Sequence, residues 1–363
     1  PIINQAIMDQ LACGTSFSML HPLEVTTAER LCEIIPNAEM CRFMKNGSDA
    51  TNAAIRLARA VTGKHHVICC GYHGANADWY GITTPQNAGI LPNIAPYSHQ
   101  IPWGDFSSVP QHAYEDLAAV IVEVPSLPWT GLVKGTEDEC KTLAMYRDIA
   151  HAHGAVFILD EIISLLRYGL GGAQSYYDVD ADLITGGKAL ANGLPLAALV
   201  GKRELMQEFN HGKIFCSYTY AGETIALAAC NAVLNIFDIT DALPVLQEYG
   251  NIFGDRLRRL FIYYDLPVEV RGNFARISIQ WQKISRGVKE DILRTIWLAE
   301  NAKRRVLYGI GVAFPMTCWG EKELQDLLIS AEESCIVIKD YIDSGRILHY
   351  DETSIIEPVF QIR

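Results

Sequence analysis

Between residues 41 and 198, short and nearly unbroken apolar runs alternate with segments of helical period: VICC at 67–70, AAVIVEV at 118–124, AVFILD at 155–160 and ADLITGG at 181–187. Runs this short, without polar alternation, predict strands covered on both faces. The helical segments between them supply the covers, so the pattern predicts a mostly parallel sheet in an α/β domain. Past Gly222 the pattern lengthens into helices, beginning with TIALAACNAVLNIF, and then residues 268–270 and 275–281 alternate like half-exposed strands. Helices over 290–308 and 322–344 are expected to cover that second sheet. The chain therefore divides into an amino-terminal helix and linker at 1–30, a large domain at 31–245 and a smaller α+β domain at 246–363.

One helix can be drawn residue by residue. In the stretch from Asn46 onward, Ala50, Ala54, Leu57 and Val61 share a face, while Asn52, Arg56 and Arg59 fall on the other side. Ser48 is expected as its N-cap and Gly63 at its C′ position. The Gly47-Ser48 step also presents backbone N–H groups and a hydroxyl to an anion at the positive end of the helix dipole. Many such starts are only caps, so the step gains weight from its neighbours alone.

Composition narrows the ligands. The chain has 363 residues, 49% hydrophobic and 20% charged, which excludes an extended disordered polymer. Its 42 Asp and Glu against 30 Lys and Arg leave a formal charge of −12, repelling phosphate backbones and anionic lipid surfaces. Small molecules are the expected partners, with neither nucleic acid nor membrane. The ten cysteines are scattered from Cys13 to Cys335 without a C-x-x-C pair and read as reduced thiols of a cytoplasmic protein. No apolar stretch approaches the roughly 20 residues that cross a bilayer, and residues 1–14 lack a basic-then-apolar leader. Pro1 opens directly onto a helical pattern (Ile3, Ile7, Leu11), so a preceding segment of the natural chain is expected to be missing.

The strongest chemical signal is Thr185-Gly186-Gly187-Lys188. A lysine in a glycine-rich turn after a buried strand is expected where desolvation lowers its pKa, and a neutral amine attacks a carbonyl to form a Schiff base. The plain alternative, an exposed lysine in a turn, is the commoner fate of any lysine taken alone. Asp160 changes the balance. It closes AVFILD at the carboxyl edge of an open α/β sheet, where ligands bind, and a buried carboxylate there needs a cationic partner such as a protonated pyridine nitrogen. Its alternatives are a helix cap, or an ion pair of Asp160-Glu161 with Arg167. Tyr72, in Gly71-Tyr72-His73-Gly74, sets an aromatic ring at the same edge, suited to stacking on a planar group or simply to packing. Glu123 closes AAVIVE, where an end-of-strand carboxylate in water is the alternative.

Together these residues resemble the class III, or ω-type, pyridoxal-phosphate aminotransferases, over nearly the whole chain. The resemblance is nearest to the glutamate-1-semialdehyde 2,1-aminomutase branch, through Gly14-Thr15-Ser16-Phe17, Leu23-Glu24-Val25, Arg42-Phe43, Arg59, Tyr72-His73-Gly74, Asp160-Glu161-Ile162, Arg167, Gly171-Gly172-Ala173-Gln174 and Gly187-Lys188 in order. It implies fold type I, with the coenzyme in the large domain. It further implies that Lys188 carries pyridoxal 5'-phosphate as a Schiff base and shuttles the proton, and that Asp160 pairs with the pyridine nitrogen. Ile163 and Tyr72 would pack the two ring faces, Gly47 and Ser48 would hold the phosphate, and Glu123 would lie near the coenzyme. Thr219, in Tyr218-Thr219-Tyr220-Ala221-Gly222, would reach the phosphate of a neighbouring subunit, implying a homodimer with shared sites.

The chain also departs from the family. Many relatives read S-G-T-E-A where this chain has Asn46-Gly47-Ser48-Asp49-Ala50, Gly-Asn-Pro where it has Gly222-Glu223-Thr224, and E-P where it has Glu123-Val124-Pro125. Trp79 and Tyr80 add bulk where substrate is expected to pass, and 81–89 has the punctuation of a closing loop. These departures favour transfer of an amino group from an amine or amino-acid donor to a carbonyl acceptor in a biosynthetic enzyme. The alternative is an intramolecular 2,1-amino shift, and a catalytically silent binding subunit is the remote one. His151-Ala152-His153 lacks a third metal ligand at fitting spacing, Gly169-Leu170-Gly171-Gly172 fails the strand-then-helix context of a dinucleotide fingerprint, and a G-x-S-x-G elbow is absent.

Overall fold

The computed structural model describes residues 1–132, 134–283, 290–309, 311–351, 353 and 355–356, so the last residues of the expected 246–363 domain, from 357, lie outside the described ones. The chain forms two compact units: residues 1–125 with 134–240, and residues 126–132 with the described residues from 241 onward.

The first unit is built on a seven-stranded sheet of β1 (Met40–Met44), β2 (His66–Cys70), β3 (Ser98–Gln100), β4 (Leu117–Val122), β5 (Val156–Glu161), β6 (Leu183–Gly186) and β7 (Ala197–Gly201), in the order β1-β7-β6-β5-β4-β2-β3. Strands β2, β4, β5, β6 and β7 are buried along their whole length, as their unbroken apolar runs require. Strands β2 to β6 run parallel, whereas β7 is antiparallel to β6 and β1 to β7. The reversal at β7 follows from chain length, because residues 187–196 are fewer than the dozen or so a parallel crossover needs. Two reversals restore direction, so β1 ends on the same sheet edge as β2, β4, β5 and β6. The residues immediately after those strands are thereby gathered on one side.

Helices α1 (Ile2–Cys13), α2 (Pro22–Ile34), α3 (Gly47–Thr62), α4 (Asp78–Gly81), α5 (Gln111–Glu115), α6 (Glu137–Ala152), α7 (Gly172–Tyr177), α8 (Arg203–Met206) and α9 (Thr224–Ile239) complete the unit. Helix α3 buries Ala50, Ala54 and Leu57, as its pattern predicts, and ends at Gly63 with φ of 67°. Its start differs from the expectation. Asn46, extended at φ −147°, is the N-cap and accepts from the Asp49 N–H at 3.0 Å, so Ser48 lies inside the first turn instead of capping it. Trp79 and Tyr80 also correct the sequence reading. Both are buried in the core of this unit, Trp79 donating its indole N–H to Asn52 at 3.0 Å, so neither lines a substrate passage.

The second unit joins β8 (Val268–Asn273), β9 (Arg276–Trp281) and β10 (Val312–Ala313) in an antiparallel sheet, with α10 (Ala242–Tyr263), α11 (Glu290–Lys303) and α12 (Glu321–Asp343). Its core is aromatic, with the Phe261 and Trp297 rings edge to face at 5.4 Å and Trp281 within 6.0 Å of Trp297. The segment from Ser126 belongs here through the Pro128–Arg271 bridge and the hydrogen bond from Trp129 to Asp255 at 2.8 Å. Among the described residues no single helix is long and apolar enough to cross a membrane.

Asp182, just ahead of β6, ties the first unit's sheet to its surroundings. One carboxylate oxygen accepts from Lys202 Nζ at 2.6 Å, and the other from His151 Nε2 and the Phe157 N–H, both at 2.9 Å. Burial raises its proton affinity, but these donors outweigh burial and hold the carboxyl below the usual aspartate value of 3.8. A depressed pKa contributes stability that is full above the unfolded value and is lost as pH falls through the folded one. Asp182→Ala is therefore expected to lower unfolding stability by about 2–3 kcal/mol at pH 7, with the gap to the wild type narrowing at pH 3. Urea unfolding at the two pH values measures it, and an equal gap at both would contradict the assignment.

Candidate active site

The strand-end residues enclose a cavity of about 470 Å³ lined by Lys45 to Ser48, Tyr72, His73, Glu123, Asp160, Ile162, Ile163 and Lys188, among others. The edge on which β1, β2, β4, β5 and β6 end thus brings together seven of the eight residues singled out in the sequence: Gly47, Ser48, Tyr72, Glu123, Asp160, Ile163 and Lys188. Thr219 is the exception. It is exposed in the turn ahead of α9 and does not line this cavity. A second cavity of about 510 Å³, lined by Glu24, Arg42, Cys216 and Tyr218, shares none of these groups.

Asp160 is 3% exposed and held by three donors. Oδ1 accepts from the Thr185 hydroxyl at 2.9 Å and the Ile162 N–H at 3.2 Å, and Oδ2 accepts from His73 Nδ1 at 2.8 Å. A carboxylate oxygen takes two donors, so Oδ1 is filled and Oδ2 has capacity for one more. The carboxylate acceptor requires the proton of His73 on Nδ1, and its Nε2 is buried without a partner. Neither His73 nor Thr185 was assigned a role from sequence, although both stand inside quoted motifs. Their partnership needs the ends of β2, β5 and β6 on one edge of the sheet, with only β4 between β2 and β5, which the sheet order supplies.

Glu161 turns to the other side of β5. It accepts from Ser164 Oγ at 3.0 Å and from the Ala173 and Gln174 N–H groups at 2.5 and 3.3 Å, while Arg167 donates to the Ile163 carbonyl at 2.5 Å. Complete burial pushes its carboxyl up to about 7, against the pull of those donors. Glu161 thereby pins the loop after β5 to the start of α7 and is not a second carboxylate of the cavity.

At the start of α3, the amide of Asp49 is taken by the Asn46 side chain and that of Ala50 by the Asn46 carbonyl. The Gly47 and Ser48 amides precede any intrahelical partner and border the cavity, an anion-binding arrangement. Gly74, at φ +102°, crosses so close to Ser48 that a Cβ there would collide with its hydroxyl. Glu123 accepts from the Tyr72 N–H at 2.9 Å, and Gly71, at φ +104°, lets the chain pass over it. Ile162 was missed from sequence. Its side chain lies against both Gly47 and Gly187, between the helix start and the lysine turn, while Ile163 lines the same cavity.

Lys188 follows β6 with φ of 44°, a left-handed conformation that costs a non-glycine residue about 1–2 kcal/mol and sets it off the strand line. It is exposed, not buried as the glycine-rich turn suggested: burial runs through β6 and Gly187 and stops at the lysine. Lys45 enters the same cavity with its Nζ 3.2 Å from Glu223 Oε2. Glu223 itself caps α9, accepting from the Ile225 and Ala226 N–H groups at 2.6 and 3.2 Å.

This set of groups agrees with the family comparison: residues 1–296 match the model of aminotransferase class-III. The chain belongs to that family. It is 35% identical to a glutamate-1-semialdehyde 2,1-aminomutase of Halobacterium salinarum over 272 residues, 70% of this chain and 58% of that protein. It is 32% identical to a 3-aminobutyryl-CoA aminotransferase of Cloacimonas acidaminovorans over 84% of this chain and 72% of that one. The chain thus spans less than two thirds of the length of the first of these relatives. A solved transaminase with PLP bound superposes with a TM-score of 0.84 at 25% identity, covering 95% of this chain and 84% of its own. A glutamate-1-semialdehyde aminomutase of Pseudomonas aeruginosa shares the fold at a TM-score of 0.79 and 18% identity, covering 93% and 80%.

Within this class-III site the Thr185 hydroxyl is the donor most cleanly removed, since valine keeps its shape. Thr185→Val leaves Asp160 Oδ1 only the 3.2 Å backbone contact and is expected to lower unfolding stability by about 1–3 kcal/mol, with Thr185→Ser recovering part. Guanidinium unfolding of the coenzyme-free variants reads both, and a Val variant as stable as wild type would remove the hydroxyl from the account.

Proposed function

We propose that the chain is a pyridoxal-phosphate-dependent aminotransferase that moves an amino group from an amine or amino-acid donor to a carbonyl acceptor. One observation carries the reading: a buried carboxylate, Asp160, keeps a single acceptor position open in the cavity that Lys188 also lines. The donor set fits the coenzyme. Asp160 Oδ2 would bind the pyridine N–H and hold its proton there, with His73 and Thr185 fixing the carboxylate. The Gly47 and Ser48 amides, with the Ser48 hydroxyl, would bind the phosphate, and Tyr72 with Ile162 and Ile163 would bound the ring.

When bound, pyridoxal phosphate supplies an electron sink that makes the hydrogen beside a substrate amine labile. Lys188 is the amine placed to remove that proton from the substrate's amine-bearing carbon and to return it elsewhere. Glu123 holds the Tyr72 backbone by its N–H and so sets the aromatic side chain's place in the cavity. A homodimer in which the exposed Thr219 reaches a neighbour's phosphate-binding turn, acting in the cytoplasm on a biosynthetic route, completes the proposal.

An intramolecular 2,1-amino shift is the second reading, supported by the names of the aminomutase relatives. Core burial of Trp79 and Tyr80 removes them as an argument for a reshaped pocket, so the altered Gly222-Glu223-Thr224 is the departure left to favour an external acceptor. Borohydride reduction of the coenzyme-loaded protein is expected to fix the coenzyme's mass on the peptide bearing Lys188, and Lys188→Ala to abolish turnover while still binding coenzyme. A label on another lysine would overturn the reading. Glutamate-1-semialdehyde offered alone should remain unconverted, and its efficient conversion to 5-aminolevulinate would establish the intramolecular shift instead.

A further inference from the structure

Lys45 has no part in holding Asp160 and lies outside the amides of the anion-binding turn, yet it lines the cavity. Among the described residues its one hydrogen bond goes to Glu223, which leaves two ammonium N–H groups. Glu223 offsets that charge only in part, because the start of α9 draws both of its oxygens: Oε1 accepts from Ile225 and Oε2 from Ala226 as well as from Lys45. The donors that meet the acidic groups lining the cavity are others than Lys45: Thr185, Ile162 and His73 at Asp160, and the Tyr72 N–H at Glu123. The cavity therefore has at its β1 end a cation that keeps ammonium N–H groups beyond its pairing with Glu223.

Position sets the role. Lys45 follows β1 and Lys188 follows β6, two places apart in the sheet, so their backbones are offset by about 10 Å. Both residues line the one cavity. A single ammonium partly balanced by Glu223 suits a monoanion better than a phosphate ester, which calls for several donors. We propose that Lys45 is a specificity-determining residue that binds the carboxylate of an amino-acid substrate while its amine is presented at Lys188, with Glu223 holding the ammonium in place. This rests on the aminotransferase reading for the amine end and on the cavity alone for the carboxylate end.

The test compares 4-aminobutyrate with butylamine, which lacks the carboxylate, as donors to the coenzyme-loaded protein, and measures glutarate binding by calorimetry. Lys45→Ala is expected to lower kcat/KM for 4-aminobutyrate and weaken glutarate about tenfold or more, leaving butylamine within about twofold, with Lys45→Arg recovering most of the loss. An equal loss with both amines, wild-type protein that binds no glutarate, or a Lys45→Ala variant that loses coenzyme in equilibrium dialysis would overturn the proposal, the last by placing Lys45 on the coenzyme. If wild-type protein reacts with neither amine but its glutarate binding still depends on Lys45, the aminotransferase reading fails and the carboxylate site stands. If both amines react and glutarate binding ignores Lys45, the reverse holds.

Discussion

Burying a carboxylate without partners costs several kcal/mol, and Asp160 is buried at the end of a strand whose every residue is covered. The architecture around the cavity answers that constraint. The Thr185 hydroxyl comes from β6, the His73 ring from the turn after β2, and the Ile162 amide from the exit of β5 itself, so donors from three strand ends must meet at one charge. Each donor is in turn held by packing: Thr185 is fully buried, and the His73 ring lies stacked near Trp79 and edge to face with Tyr80. The aromatic pair that looked like a substrate wall is thus the support of the ring that supports Asp160.

The same edge explains how one cavity combines buried and exposed parts. Asp160, Ser48 and Glu123 are buried and hydrogen-bonded to backbone or to neighbouring side chains, whereas Lys188 stands exposed on a strained turn. Groups that only bind gain from rigidity, since preorganised donors need no reordering when a ligand arrives. In the proposed reaction Lys188 has to move a proton between two places, which needs reach, and an exposed lysine at φ 44° after two glycines has it. The left-handed turn at Lys188 is the local cost of lifting that side chain off the strand line.

Much of this was legible in the sequence because sheet burial leaves a direct imprint. The apolar runs at 67–70, 118–124 and 155–160 became β2, β4 and β5 nearly residue for residue, and residues that follow parallel strands fall on one edge by topology alone. What stayed hidden depended on choices that chemistry alone leaves open. Asn46 and Ser48 both carry a side chain able to cap α3, and the extended backbone at Asn46 decides between them. Ile162 and Ile163 differ by one residue at a strand exit, where period-two alternation gives way to a turn, so which one lies between Gly47 and Gly187 is a matter of local backbone path. The burial of Trp79 needed the Asn52 amide oxygen 27 residues upstream to satisfy its indole N–H, a pairing no local pattern announces.

The departure at Gly222-Glu223-Thr224 carries the last step of the argument. A glutamate at that point serves two masters: its oxygens cap α9 through two amides, and one of them also meets Lys45 across the start of the cavity. A neutral cap such as asparagine could satisfy the helix equally well, so helix capping alone does not explain a charged residue here. The charge matters because an ammonium at the cavity's β1 end, without a counterion outside the cavity, would be drawn towards Asp160 and Glu123 and compete for the acceptor position that Asp160 keeps open. Glu223 holds Lys45 at the β1 end, and in doing so leaves the Asp160 acceptor position to other donors.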